Sequence, residues 1–273
     1  MGASRAGIVL LCLASVAHAQ GVIRVATEAE CPQARHQCLY TQRVNPVTGA
    51  VLSRGSITGT YAGHQTGPQI LPLDDTTERL VTISDGAGKY GGIMAYWSML
   101  GGSPITLSSP FLLDLDPAAS WNGDSGVGRR MAVLWRQLRK NDDKLNQANE
   151  PWALRFVTFD LLRVGSAAPK LVVLSDTPIT DWSTLPGYRY GYPYNSRWNT
   201  AVEHINGGGW AVGFQSDGDY VVGRLGETGA WIWKTVVAPC GDYAGDVAVR
   251  GQRIGYVTTR RTEAGVEVVV GER

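Results

Sequence analysis

Apolar and polar positions alternate in short bursts along the chain, and the clearest series lies between Asn199 and Thr235. Ala201 to Ile205 alternates, and Asn206-Gly207-Gly208-Gly209 then breaks the pattern. Trp210 to Phe214 is a second burst closed by Ser216-Asp217-Gly218-Asp219; Tyr220 to Leu225 is a third, closed by Gly226 to Gly229. Ala230-Trp231-Ile232-Trp233 is the fourth. Asn-Gly and Gly-Gly reach positive φ at low cost, which tight hairpins require. Strands this short with turn residues at each break predict an antiparallel four-stranded meander. Such a sheet has two apolar faces and needs neighbours of its own kind to cover them.

Weaker copies of the pattern recur. RVNPVTGAVL (Arg43 to Leu52) parallels RLGETGAWI (Arg224 to Ile232) with one residue more in the turn, aligning Thr48-Gly49-Ala50 with Thr228-Gly229-Ala230. A large apolar residue followed by a small one marks a second motif: Met94-Ala95, Met131-Ala132, Trp210-Ala211 and Ile254-Gly255. The small positions are separated by 37, 79 and 44 residues. A period of roughly 40–45 residues is that of propeller blades; the 79-residue gap holds either a degenerate unit or one blade with a long insertion. Segment 129–147 offers both a strand (131–135) and a helical spacing of Met131, Leu134, Trp135, Leu138 and Leu145, of which the repeat favours the strand. Leu39 to Val44 and Ala50 to Ser53 form a hairpin. Val247–Val249, Ile254–Thr258 and Val266–Val270 read as three strands of a last meander, which Val22 to Ala26 is expected to complete.

The unit of apolar strand, Asn/Gly turn, W/Y-A-V strand and T-G-A hairpin resembles the repeats of secreted bacterial β-propeller proteins. That resemblance implies an all-β, small β-propeller of four or five meander blades, serving as a binding scaffold or, in some members, as an enzyme. A β-sandwich is the competing architecture. The 34 glycines among 273 residues suit a turn-rich chain, and 44% apolar content supports one large core. A formal charge of +1 gives no nucleic-acid footprint.

Residues 1–19 read as a signal peptide: Arg5, then apolar Ala6 to Val16, then Ala17-His18-Ala19 before Gln20. The apolar stretch is shorter than the roughly 20 residues a membrane span needs, and no later segment is long enough. Residues 20–273 are expected to form a single exported domain, periplasmic or extracellular. Three cysteines then remain in an oxidising compartment. Pairing of Cys31 with Cys38 is the first choice, leaving Cys240 free or intermolecular, and a bridge from Cys240 to either is the alternative. No Cys/His cluster has zinc spacing, and no cofactor is expected.

Candidate chemistry is sparse. Gly123-Asp124-Ser125-Gly126 resembles the nucleophile motif of trypsin-like serine proteases, but Val127 and Gly128 replace that family's next residues and no matching histidine exists. It reads as a turn. Asp114, Asp116, Asn122 and Asp124 suggest an acidic calcium loop, but Pro117 and the wide interval leave solvated loop acids as the better account. Tyr188, Tyr190, Tyr192 and Tyr194 recur at every second position, with Trp198 following. In an extended segment they share one face, and aromatic faces stack on sugar rings. They are the best ligand-binding candidates, against the plainer reading of a loop packing its own rings. Trp97, Trp135, Trp210, Trp231 and Trp233 fall in predicted strands and read as inter-blade core, and His204 as a hydrogen-bonded structural residue. The sequence thus favours a secreted, non-catalytic binding module, possible partners being carbohydrate or another extracellular protein. The alternatives are an extracellular hydrolase relying on Asp114, Asp116 and Asp124, or a structural surface component.

Overall fold

A computed structural model describes residues 21–27, 37–45, 47–56, 69–72, 80–84, 93–96, 105–108, 114–122, 130–138, 152–162, 170–180, 200–216, 219–238 and 245–273. The described residues form five consecutive antiparallel sheets, and the fold is all-β and propeller-like. The first sheet holds β1 (Gly21–Thr27), β2 (Gln37–Val44) and β3 (Val51–Ser56). The second holds β4 (Gln69–Pro72), β5 (Leu80–Ser84), β6 (Met94–Tyr96) and β7 (Ile105–Thr106). The third comprises β8 (Asp114–Trp121), β9 (Arg130–Leu138), β10 (Trp152–Leu162) and β11 (Lys170–Pro178). The fourth is β12 (Ala201–His204), β13 (Trp210–Ser216), β14 (Asp219–Leu225) and β15 (Trp231–Ala238). The fifth is β16 (Asp246–Arg250), β17 (Arg253–Thr262) and β18 (Gly265–Glu272). Every sheet is ordered as its strands follow in sequence. Sheets two to five bring their first strands together in succession, β4 on β8, β8 on β12 and β12 on β16. That is how propeller blades adjoin.

Alternation sorts side chains into the gaps between sheets. Along β9, Met131, Val133 and Trp135 point to a core shared with Ile93 and Ala95 of the second sheet. Ala132 and Leu134 point to the opposite core, with Trp210, Val212 and Phe214 of the fourth. Because both faces are covered, all residues from Met131 to Trp135 are buried. A continuous apolar run of this kind fits helical and strand spacing alike, and the structure decides for the strand. A third core joins Ala211, Tyr220 and Val222 of the fourth sheet to Val247 and Ile254 of the fifth.

The hairpins follow their turn chemistry. Gly207, Gly208 and Gly209 all have positive φ between β12 and β13. The two Thr-Gly-Ala hairpins share their geometry. Gly49 N donates to Asn45 O as Gly229 N donates to Gly226 O, and the flanking backbone bonds close onto Ala50 O and Ala230 O. Both ladders shift register at the same place, between Arg43 and Val44 and between Arg224 and Leu225. β2 and β3 therefore match β14 and β15, the third and fourth strands of a blade.

Two expectations change, and one of two open alternatives is favoured. Val22 to Ala26 does not complete the last meander; as part of β1 it pairs along its length with Gln37–Val44. Among the described residues no further sheet lies between Ala132 and Ala211, so the 79-residue gap is one blade with long connections. Ala132, Ala211 and Gly255 sit in second strands, but Ala95 sits in β6, a third strand, so Met94-Ala95 belongs to a different position in the unit.

Candidate functional site

The inner strands of the third, fourth and fifth sheets bring three polar residues together: Ser120 of β8, Glu203 of β12 and Asp246 of β16. Ser120 pairs with Ala132 and Glu203 with Ala211. The hydroxyl and the carboxyl thus hold equivalent places in adjoining sheets, each beside the small residue of the motif. Ser120 is buried; its oxygen accepts from the backbone N–H of His204 at 3.2 Å, and its hydroxyl hydrogen-bonds the Glu203 carboxyl.

Glu203 and Asp246 are reached by water, yet each stands with protein on most sides. Partial desolvation, reinforced by the nearby Asp246 charge and opposed by Ser120, lifts Glu203 to about 7. Desolvation also raises Asp246, against the 2.8 Å bond its Oδ1 accepts from Val247 N–H. The Asp246 charge thus adds to burial in favouring the protonated form of Glu203. Near neutral pH a carboxyl held at about 7 can donate or accept a hydrogen bond, and so can pair with hydroxyls or deliver a proton.

Tyr220 backs this site. Its ring is 1% exposed and lies against Gly213 and Gly245, where any Cβ would collide with it. Burial, with the Asp246 charge second, pushes its phenol well above the usual range. The hydroxyl has no hydrogen-bond partner among the described residues.

A second polar network ties sheets together nearby. Glu227, in the β14–β15 turn, accepts from Gly209 N–H at 2.7 Å and from Arg130 Nη1 at 3.1 Å. Arg130 Nε lies 3.5 Å from Asp160. His204 has its Nε2 3.9 Å from Glu227 and meets Trp210 edge-on at 5.0 Å. It lies in β12, as the sequence pattern predicts.

Tyr188, Tyr190, Tyr192, Tyr194 and Trp198 lie outside the described residues, as do Trp97, Cys31, Cys240, Asp124, Ser125 and residues 1–19. Cys38 lies in β2 opposite Ala26. Asp114 and Asp116 are not loop acids: both lie in β8, whose register shifts between Leu115 and Ala118. The shift admits Pro117, since proline in a strand is tolerated at bulges. Trp135 and Trp210 are buried core, and Trp231 and Trp233 are half-buried against it.

Glu203 and Asp246 were not singled out from sequence. The available signal was a pair of acids 43 residues apart, close to the repeat period, in otherwise apolar strands. Among the described residues no group of three or more His, Cys, Asp or Glu could hold a metal ion, and no helix is long and apolar enough to cross a membrane.

No protein-family model and no curated protein matches the chain. Solved structures resemble it at low identity. A Trypanosoma rangeli sialidase in complex with the inhibitor DANA aligns at 10% identity and a TM-score of 0.48, over 84% of this chain and 38% of the sialidase. An Aleuria aurantia lectin in complex with Fucalpha1-6GlcNAc aligns at 8% identity and a TM-score of 0.40, over 93% and 78%. The PQQ-bound aldose sugar dehydrogenase of Streptomyces coelicolor aligns at 12% identity and 0.35, over 93% and 99%. The chain spans about two fifths of the sialidase. Likenesses at these scores identify no activity.

Proposed function

We propose that the protein is an exported, non-catalytic binding module whose ligand class is carbohydrate. The observation that supports this reading is the meeting of Ser120, Glu203 and Asp246 on three adjoining inner strands, with both acids open to water. A carboxyl that holds its proton near neutrality beside a second carboxyl can donate to one sugar hydroxyl while its neighbour accepts from another. Segment 181–199, which carries the tyrosine run, joins the end of the third sheet to the inner strand bearing Glu203. Tyr188, Tyr190, Tyr192, Tyr194 and Trp198 would add the stacking face, and Arg5 to Ala19 the export signal. A glycan array tests the reading. Binding that disappears in both Glu203→Gln and Tyr190→Ala/Tyr192→Ala supports it, and a wild-type protein that binds no glycan removes it.

One observation favours a second reading, an extracellular hydrolase. Glu203 raised to about 7 is held as a general acid is held. Turnover of aryl glycosides that is lost in Glu203→Gln but kept in the tyrosine variant would select that reading over simple binding.

A further inference from the structure

Glu203 and Asp246 carry negative charge that nothing among the described residues offsets. Other carboxylates have cationic partners: Glu227 and Asp160 share Arg130, Asp176 has Arg155 and Glu272 has Arg253. Neither Glu203 nor Asp246 forms an ion pair with a described lysine, arginine or histidine. Burial, the Asp246 charge and the Ser120 hydroxyl act on Glu203, and burial and the Val247 N–H act on Asp246. Two like charges with protein on most sides resist full ionisation, and an opposite charge brought beside them reverses that. Water reaches both carboxyls, so the opposite charge can arrive from outside.

A second feature, independent of the carboxyls, marks the same place. The Tyr220 ring reaches from β14 across Gly213 to Gly245, the residue before Asp246, and its hydroxyl lies 2.7 Å from where a Cβ on Gly245 would stand. The Asp246 charge acts on this phenol, so the hydroxyl faces the carboxyl pair. The side chain is 1% exposed, yet its hydroxyl has no partner among the described residues. Leaving a buried hydroxyl unbonded is destabilising in the free protein, and a ligand that bonds it recovers that loss.

The donor set selects among cations. Calcium takes about six to eight oxygens, more than two carboxyls and two hydroxyls supply. A guanidinium needs acceptors laid out for its flat fork. A primary ammonium brings one positive charge and three N–H donors, which two carboxylates and a phenol oxygen match in number and charge. We infer that Glu203, Asp246 and Tyr220 bind the primary ammonium of an amino sugar. The inference rests on the carbohydrate reading and narrows it to sugars bearing a free amine in place of a hydroxyl or an acetamide. Ser120 is a positioning residue in this site, since its hydroxyl holds the Glu203 carboxyl.

Titration calorimetry on the full chain near neutral pH tests this with three probes: a β-1,4-linked glucosamine tetramer, its fully N-acetylated counterpart, and putrescine. The glucosamine tetramer is expected to bind at least about tenfold more tightly than either of the others. Glu203→Gln and Asp246→Asn should each weaken that binding by about tenfold. Tyr220→Phe should weaken it too while leaving thermal stability level or higher, a combination that a packing role does not produce. Equal affinity for the two tetramers overturns the inference and leaves the carbohydrate reading standing. So does a glucosamine tetramer that fails to bind while another glycan on the array binds. A protein that binds no glycan removes both. Putrescine bound as tightly as the glucosamine tetramer also overturns the inference, because the amine would then be recognised without its sugar. The wild-type comparison of probes decides even where a variant loses its far-UV circular dichroism.

Discussion

Trp231 and Trp233 stand two residues apart in one strand and pack into different cores. Strand alternation alone puts them on the same face. The register shift between Arg224 and Leu225 inserts Ile232 as an extra residue, so that Leu225 faces Trp231 while Arg224 faces Trp233. Trp231 joins the core shared with the third sheet and Trp233 the core shared with the fifth. A single bulge thus lets one outer strand anchor both neighbours.

Truncating these two residues should therefore loosen different parts of the molecule. Each half-buried tryptophan replaced by alanine is expected to cost about 2–3 kcal/mol, toward the low end for large-to-small changes. Amide exchange should speed up in β10 and β11 for Trp231→Ala, and in β16 and β17 for Trp233→Ala. Finding the same strands loosened by both would refute the split.

Glu203 gives a pH dependence with a definite sign. Its carboxyl is raised from 4.5 in the free side chain to about 7 in the folded protein. The folded state therefore holds this proton more tightly than the unfolded chain does. The associated stability is complete below about pH 4.5 and lost as pH rises through about 7. Water reaches the group, and screening limits the effect to about 1 kcal/mol. Glu203→Gln should flatten the stability profile between those limits and make the protein slightly more stable above pH 7. Urea titrations at several pH values give the comparison, and parallel profiles for the two proteins would exclude the assignment.

Tyr220 makes a further test of the same region. Its buried hydroxyl lacks a partner among the described residues, and an unmade buried hydrogen bond is unfavourable by about 1–3 kcal/mol. Tyr220→Phe keeps the ring against Gly213 and Gly245 and removes only the hydroxyl. Stability should stay level or rise by about 1 kcal/mol. Gly245→Ala should be strongly destabilising, because the new Cβ runs into the ring. A marked loss of stability in Tyr220→Phe would mean that the hydroxyl is bonded and that this account is mistaken.

The scaffold was legible where local chemistry decides it. The Asn-Gly-Gly-Gly and Thr-Gly-Ala turns, and the strands they bound, stand where the sequence puts them, because positive φ at Gly207 to Gly209, Gly49 and Gly229 is a property of the residues themselves. The true partner of Val22 to Ala26 was not legible. A strand's partner depends on which edge is nearest in space, and β1 found Gln37–Val44. The acidic pair was hidden for a related reason: Glu203 and Asp246 acquire their properties only when β12 and β16 lie side by side. Alternation could mark them as polar interruptions but could not bring them together. Asp114 and Asp116 misled because Pro117 reads as a loop residue unless a bulge in β8 is foreseen.

The paired hairpins allow a controlled comparison. Gly49 and Gly229 occupy the same place in matching turns, with φ of 71° and 90°. Alanine is strained at either, by about 1 kcal/mol. Their surroundings differ. A Cβ at Gly49 meets nothing within 4 Å, whereas one at Gly229 lies 2.9 Å from Phe156 and 3.2 Å from Thr177, both in the third sheet. Gly49→Ala should show the backbone strain alone. Gly229→Ala should add the cost of pushing the fourth sheet away from Phe156, about 1–3 kcal/mol beyond the strain. It should also weaken the 3.2 Å bond from Thr177 Oγ1 to Thr228 O. Thermal denaturation of the two variants side by side measures the difference. Equal losses would mean that the turn packs no more closely on its neighbour at Gly229 than it does at Gly49.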